Sequence, residues 1–148
     1  MADEKHVFHV HSVWNGDSDG DGDLRMEDRE MIYGRPHQLG GAPGRTNPEE
    51  MLVQAVAACY SITLAVIAER KRLPITKIEV AAEGDVVRQP NKSLKFTAIR
   101  LKPVLTVDSA DEGVRQKALD TAHHAENYCL ISQALDSELK ITLEPSIV

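Results

Sequence analysis

The 148-residue sequence predicts an α+β fold, with antiparallel sheets around a long buried central helix. Three observations carry this. An apolar stretch opening at Asn47-Pro48-Glu49-Glu50 has the length and the start signals of a single long helix. Two alternating segments rich in Val, Ile and Thr come after it, joined by the turn sequence Gln89-Pro90-Asn91-Lys92. Strand and helix signals arrive in blocks and not as alternating β-α units, and no repeat or linker divides the chain, so a single domain over residues 1–148 is expected.

In chain order, residues 6–14 alternate enough to make a first strand, with Val7, His9, His11 and Val13 on one side. Residues 15–23 are rich in Gly and Asp and break it, and residues 24–33 return as the second strand of a hairpin. Residues 34–45 form a loop carrying Arg35, His37 and Arg45, and a loop of this length in a small domain is often functional. Asn47 is a favoured N-cap, Pro48 suits the first helical position, and Glu49 and Glu50 suit the positive end of the helix dipole. The helix should run over residues 48–72, where Arg70-Lys71-Arg72 and then Pro74 close it. Its apolar residues cover nearly every face, which predicts burial, and on more faces than one small sheet can cover, which predicts a partner subunit. Residues 75–88 and 93–107 read as long antiparallel strands. Ser109-Ala110-Asp111-Glu112 opens a second helix to about residue 127, residues 129–135 a short third one, and residues 139–143 a closing strand.

A formal charge of −6 gives nucleic-acid binding no electrostatic support. The first residues are polar and no apolar run reaches the roughly 20 residues of a membrane span, so no secretory leader, no membrane association and a cytoplasmic location are expected. In a reducing compartment, Cys59 and Cys129 mean core thiols, metal ligands or redox chemistry. Two cysteines alone do not close a structural zinc site, and the pairs His9/His11 and His123/His124 match no zinc spacing, so neither metal nor cofactor is expected. Cys59 by itself reads as a small core residue of an apolar helix. The Asn-Pro-Glu-Glu start and the second cysteine turn the reading toward thiol chemistry: brought together by the fold, the two sulfurs can run a thiolate, sulfenic acid, disulfide cycle. A rival feature lies at Asp17-Ser18-Asp19-Gly20-Asp21-Gly22-Asp23-Leu24, which resembles the start of a calcium loop with Asp28 at its twelfth position. A strand and not a helix precedes it, so an acidic hairpin turn is the simpler account, with a weak structural calcium site as the other.

The combination of Leu39-Gly40-Gly41, Thr46-Asn47-Pro48-Glu49-Glu50, Ala57-Ala58-Cys59-Tyr60-Ser61 and Tyr128-Cys129-Leu130-Ile131-Ser132 resembles the OsmC/Ohr family of thiol-dependent peroxidases over nearly the whole chain. The resemblance implies an intertwined homodimer with active sites at the subunit interface. It also implies reduction of organic hydroperoxides, with the disulfide recycled by a dithiol such as a lipoyl group. Leu130 stands where the family has proline after the second cysteine. Carried onto this chain, the resemblance makes Cys59 peroxidatic and Cys129 resolving. It makes Arg35, with Arg45 the other candidate, the cation that holds the thiolate, and Glu49 the carboxylate that anchors that arginine. The apolar helix suggests a substrate pocket lined by Met51, Val56, Tyr60 and residues near Leu130. The alternative is a non-catalytic small-molecule binding protein on the same fold, with structural thiols and an acidic hairpin that binds calcium.

Overall fold

In the computed structural model, which describes residues 4–148, the chain divides into two compact units, Met1–Met51 and Leu52–Val148. The first is built on a three-stranded antiparallel sheet, β1 (His11–Asn15), β2 (Asp21–Met26) and β3 (Arg29–Tyr33), in that order. Two strands therefore replace the single one expected over residues 24–33. The reversal falls at Glu27-Asp28, with Glu27 in a left-handed conformation (φ 51°) and Met26 paired with Arg29. That turn has neither Gly nor Pro, so the usual signal for it is missing. The first strand is also shorter than expected and starts at His11, leaving Val7, Phe8 and Val10 exposed. Gly22 lies between Trp14 and Tyr33 across the sheet, and the Tyr33 ring covers it so closely that a Cβ would stand 2.2 Å from the ring.

The long helix α1 (Pro48–Arg70) starts as its sequence dictates. The buried Asn47 side chain accepts from the Glu50 N–H at 2.8 Å, capping the first turn. It ends as Arg72 takes a left-handed turn (φ 55°) and the Leu73 N–H reaches back to the Ala68 carbonyl. By length and composition α1 could cross a membrane, which corrects the expectation that no apolar run is long enough. Here it serves as a core helix. Its fully buried stripe is Val56, Tyr60, Leu64 and Ala68, every fourth residue, and Ile62 and Val66 on another face are exposed. Burial on all sides, as the composition predicted, is therefore not reached within one chain.

The buried stripe packs in the second unit against the sheet of β4 (Ile75–Arg88) and β5 (Leu94–Val107), which pair antiparallel. On β5 the alternation is clean: Ile99, Leu101, Pro103, Leu105 and Val107 are buried. Gly84 admits the helix, because a Cβ there would meet Val53 at 2.7 Å. Helix α2 (Glu112–Ala125), capped by Asp111 accepting from the Val114 N–H, places Ala118, Ala122 and Ala125 in the same core. The Tyr60 hydroxyl ties α1 to α2 by donating to the Ala122 carbonyl at 2.7 Å. After the short helix α3 (Leu130–Gln133), strands β6 (Lys140–Leu143) and β7 (Ser146–Ile147) run parallel to β5. The intervening helices carry the chain back along the sheet, which makes this pairing parallel. Pro103, with no N–H to donate, falls in the gap between the β5 segments paired by β6 and by β7.

Candidate active site

Cys59 and Cys129 are both free, and each shifts the ionisation of the other. Cys59 is partly buried on α1, in a stretch where the hydroxyls of Ser61 and Thr63 bond back to carbonyls four residues earlier and leave the helix intact. Cys129 is fully buried and caps α3 with an extended backbone (φ −72°, ψ 113°). Its thiol favours the ionised form of Cys59.

Burial pushes the Cys59 thiol up, but hydrogen bonds from the Ile131 N–H, the Cys129 thiol, the Thr63 hydroxyl and the Leu130 N–H together outweigh it and hold the thiol below its ordinary value. The Thr63 proton already goes to the Cys59 carbonyl at 2.8 Å, so at rest the two amides and the Cys129 thiol are the effective donors. Cys129 moves the other way: burial pushes it up, the Ser132 side chain and N–H pull it down, and the bond to Cys59 and its charge raise it again. The two thiols are thus shifted in opposite directions, Cys59 down and Cys129 up.

The amides were not visible in the sequence. Cys59 lies too far along α1 to feel that helix's N-terminus, and the cation the resemblance offers for it is a side chain, Arg35 or Arg45. The donors come from the first turn of a different helix, whose N–H groups have no carbonyl partner within it. This makes a prediction for Leu130. Leu130→Pro deletes one donor, and the extended Cys129 backbone already suits a residue before proline. Leu130→Ala keeps the donor. The pH midpoint for alkylation of Cys59, below that of an ordinary thiol in the parent, should rise in the proline variant and stay put in the alanine variant. Equal midpoints in all three proteins would remove the amide from the account.

The remaining expected residues are not assembled in the way predicted. Arg35 donates to Asp19 at 2.8 Å and to the Gly40 carbonyl at 2.9 Å, while Arg45 pairs with Asp21 and donates to the Gly20 carbonyl. Neither arginine pairs with Glu49 among the described residues, so the expected Glu49–Arg35 anchor is not formed. Glu49 keeps one carboxylate oxygen buried with no hydrogen-bond partner. The same ion pairs engage two carboxylates of the acidic hairpin, and no group of three or more His, Cys, Asp or Glu among the described residues is arranged to hold a metal ion. His124 bonds through Nδ1 to the Asp120 carbonyl at 2.7 Å. Val56 and Tyr60, expected to line the substrate pocket, are fully buried in the core, and Leu130 is exposed. An apolar cavity of about 610 Å³ instead opens along another face of α1, bounded by Ile62, Thr63, Val66 and Ile67 and by His124 and Tyr128. Neither cysteine lines it, but Thr63 stands one helical turn from Cys59 on α1 and Tyr128 adjoins Cys129 in the chain.

An α+β frame with one cysteine on a long helix and a buried cysteine capping a short one, each shifting the other's ionisation, defines a protein with a coupled thiol pair. The model for the family described as OsmC-like protein matches residues 40–144, and the chain belongs to that family. YmaD of Bacillus subtilis (strain 168), an uncharacterized protein, is 31% identical over 149 residues, spanning 99% of this chain and 97% of that protein. Peroxiredoxin OsmC of Escherichia coli (strain K12) is 29% identical over 136 residues, spanning 86% of this chain and 89% of that protein. Among solved structures, an organic hydroperoxide resistance protein OsmC from Legionella pneumophila shares the fold with a TM-score of 0.73 at 20% identity, covering 96% of this chain and 99% of that one.

Proposed function

We propose that this chain is a single OsmC-like domain acting as a cysteine-based peroxidase that reduces organic hydroperoxides. The observation that carries the reading is the opposite shift of the two coupled thiols, Cys59 down and Cys129 up. The Cys59 thiolate attacks the distal oxygen of the hydroperoxide and the alkoxide leaves with a proton as the alcohol. The sulfenic acid on Cys59 condenses with Cys129 to a disulfide and water, and a dithiol such as a lipoyl group restores both thiols. The apolar cavity beside the pair favours an alkyl or aryl hydroperoxide over hydrogen peroxide. The peroxiredoxin among the relatives supports the same chemistry, and the cytosol, where dithiol reductants are at hand, is the setting it calls for.

Arg35 and Glu49 belong to this reading as activating cation and anchor. The unpartnered oxygen of Glu49 supports it, because a buried carboxylate oxygen calls for a donor, and Arg35 would have to exchange Asp19 for it. The opposing observation is that Arg35 is held by Asp19, which favours a non-catalytic small-molecule binding protein with inert thiols. One experiment separates the two. Reduced protein is mixed with one equivalent of cumene hydroperoxide, or separately of hydrogen peroxide, and thiols and intact mass are followed. The peroxidase loses both thiols and two hydrogen atoms, faster with the organic peroxide, and dihydrolipoamide restores them. Thiols that survive an excess of either peroxide leave the binding protein.

The reading includes a homodimer. Ile62 is 66% exposed and Val66 40% on a helix with no polar face, and these residues also wall the cavity, so a second copy would cover α1 and close the site together. Ile62→Glu should shift the sedimenting species from dimer to monomer. A parent protein that sediments as a monomer at tens of micromolar would dispose of the dimer.

A further inference from the structure

We infer that Ser132 is a positioning residue for Cys129, its hydroxyl holding the resolving sulfur as a thiolate at the moment the disulfide closes. The inference rests on the peroxidase reading and assigns a residue to its second step.

The Ser132 hydroxyl oxygen is buried and has no hydrogen-bond partner among the described residues. A buried hydroxyl left unpaired is costly, and the same chain shows the usual way to avoid that cost. Ser61, Thr63 and Thr121 each donate to the carbonyl four residues earlier, at 2.9, 2.8 and 2.7 Å. Ser132 does not take this route. It is the third residue of α3, and Cys129 is that helix's cap, which is the spacing that brings a cap side chain over the third residue's backbone N–H. The Cys129 side chain makes no cap hydrogen bond in this state, yet the N–H and the hydroxyl of Ser132 both favour its ionised form. A neutral thiol offers the hydroxyl only a weak acceptor, and a thiolate offers a strong one. The orphaned hydroxyl is a donor whose partner appears only when Cys129 ionises.

The order of events follows from the same contacts. While Cys59 is a thiolate, it holds the Cys129 proton and its charge opposes a second negative sulfur. Oxidation of Cys59 to the sulfenic acid removes both effects, and Ser132 remains. The Cys129 proton is then released, its lone pair attacks the Cys59 sulfur, the S–S bond forms and the S–O bond breaks. Hydroxide leaves with the bonding pair and takes up a proton as water. Cys129 is oxidised, the sulfenic sulfur is reduced, and no further reactant is consumed.

The test follows both steps in Ser132→Ala and Ser132→Thr. With one equivalent of cumene hydroperoxide, the species one oxygen heavier should form in Ser132→Ala as fast as in the parent. It should then persist about tenfold longer, the effect of losing one hydrogen bond to a charged group, and the pH profile of disulfide closure should move to higher pH. Threonine should restore both. A parental lifetime and pH profile in Ser132→Ala overturns the assignment, as does a longer lifetime with an unmoved profile, which marks a packing defect. A second measurement needs no peroxide. In a Cys59→Ser background, adding Ser132→Ala should raise the pH midpoint for alkylation of Cys129. Equal midpoints with and without that change overturn the assignment, even if the peroxidase reading itself fails for want of any sulfenic acid.

Discussion

Cys59→Ser should abolish the proposed hydroperoxide reduction, with an expected loss of at least about a thousandfold in the single-turnover rate. A serine hydroxyl in place of the thiol keeps nearly the same volume, so the fold and Cys129 remain. It cannot be ionised by the amides of Ile131 and Leu130 at neutral pH, and it cannot form a stable sulfenic acid equivalent. Cys129→Ser has a different signature: the first thiol is still oxidised, and the protein stops one oxygen heavier, with no disulfide. The rate of that first step should fall somewhat, since the Cys129 thiol is one of the donors holding Cys59 as a thiolate. Glu49→Gln in the same assay reads the contribution of the arginine anchor, and an unchanged rate strikes Arg35 and Glu49 from the mechanism. Stopped-flow oxidation followed by intact mass distinguishes all of these. Full activity in Cys59→Ser would sink the reading at its root.

Leu64→Ala destabilises the protein by about 2–5 kcal/mol, a large share of the roughly 5–15 kcal/mol that holds a domain of this size together. Leu64 is fully buried in the middle of the α1 stripe, between Tyr60 and Ala68, and its side chain is part of the core formed with Ile99, Leu101 and Leu105. Its removal leaves a cavity between a helix and a strand that are both pinned, the helix through the Tyr60–Ala122 hydrogen bond and the strand by pairing on both edges. Little collapse can fill it. Urea unfolding should show a lower midpoint with an unchanged slope. A change below about 0.5 kcal/mol would mean that α1 does not pack by this stripe.

The contrast between Leu64 and Ile62 shows where sequence reading stops. Both are branched aliphatic residues two positions apart on one helix, yet one is wholly buried and the other is 66% exposed. A helix with a polar face points its apolar side inward. α1 has no such face, and only the packed sheet and α2 select the stripe. The turn at Glu27-Asp28 escaped for a related reason, since neighbouring strands and not a Gly or Pro impose its conformation. Arg35 and Arg45 are candidates in the sequence for the cation that holds the thiolate, and the first unit pairs each of them with an Asp of the acidic hairpin.

By itself the sequence determined the long helix with its cap at Asn47, the opening of the second helix within Ser109-Ala110-Asp111-Glu112, the two long strands, and the two cysteines as the residues with chemistry to offer. These are local properties, written in periodicity, capping side chains and residue type. Only the tertiary structure decided that the two thiols shift each other's ionisation, that amides of α3 lower the Cys59 thiol, and that the Ser132 hydroxyl is buried without a partner. The reason is physical. Every residue but proline carries the same N–H, so a backbone donor leaves no mark in a sequence until the fold aims it at a sulfur.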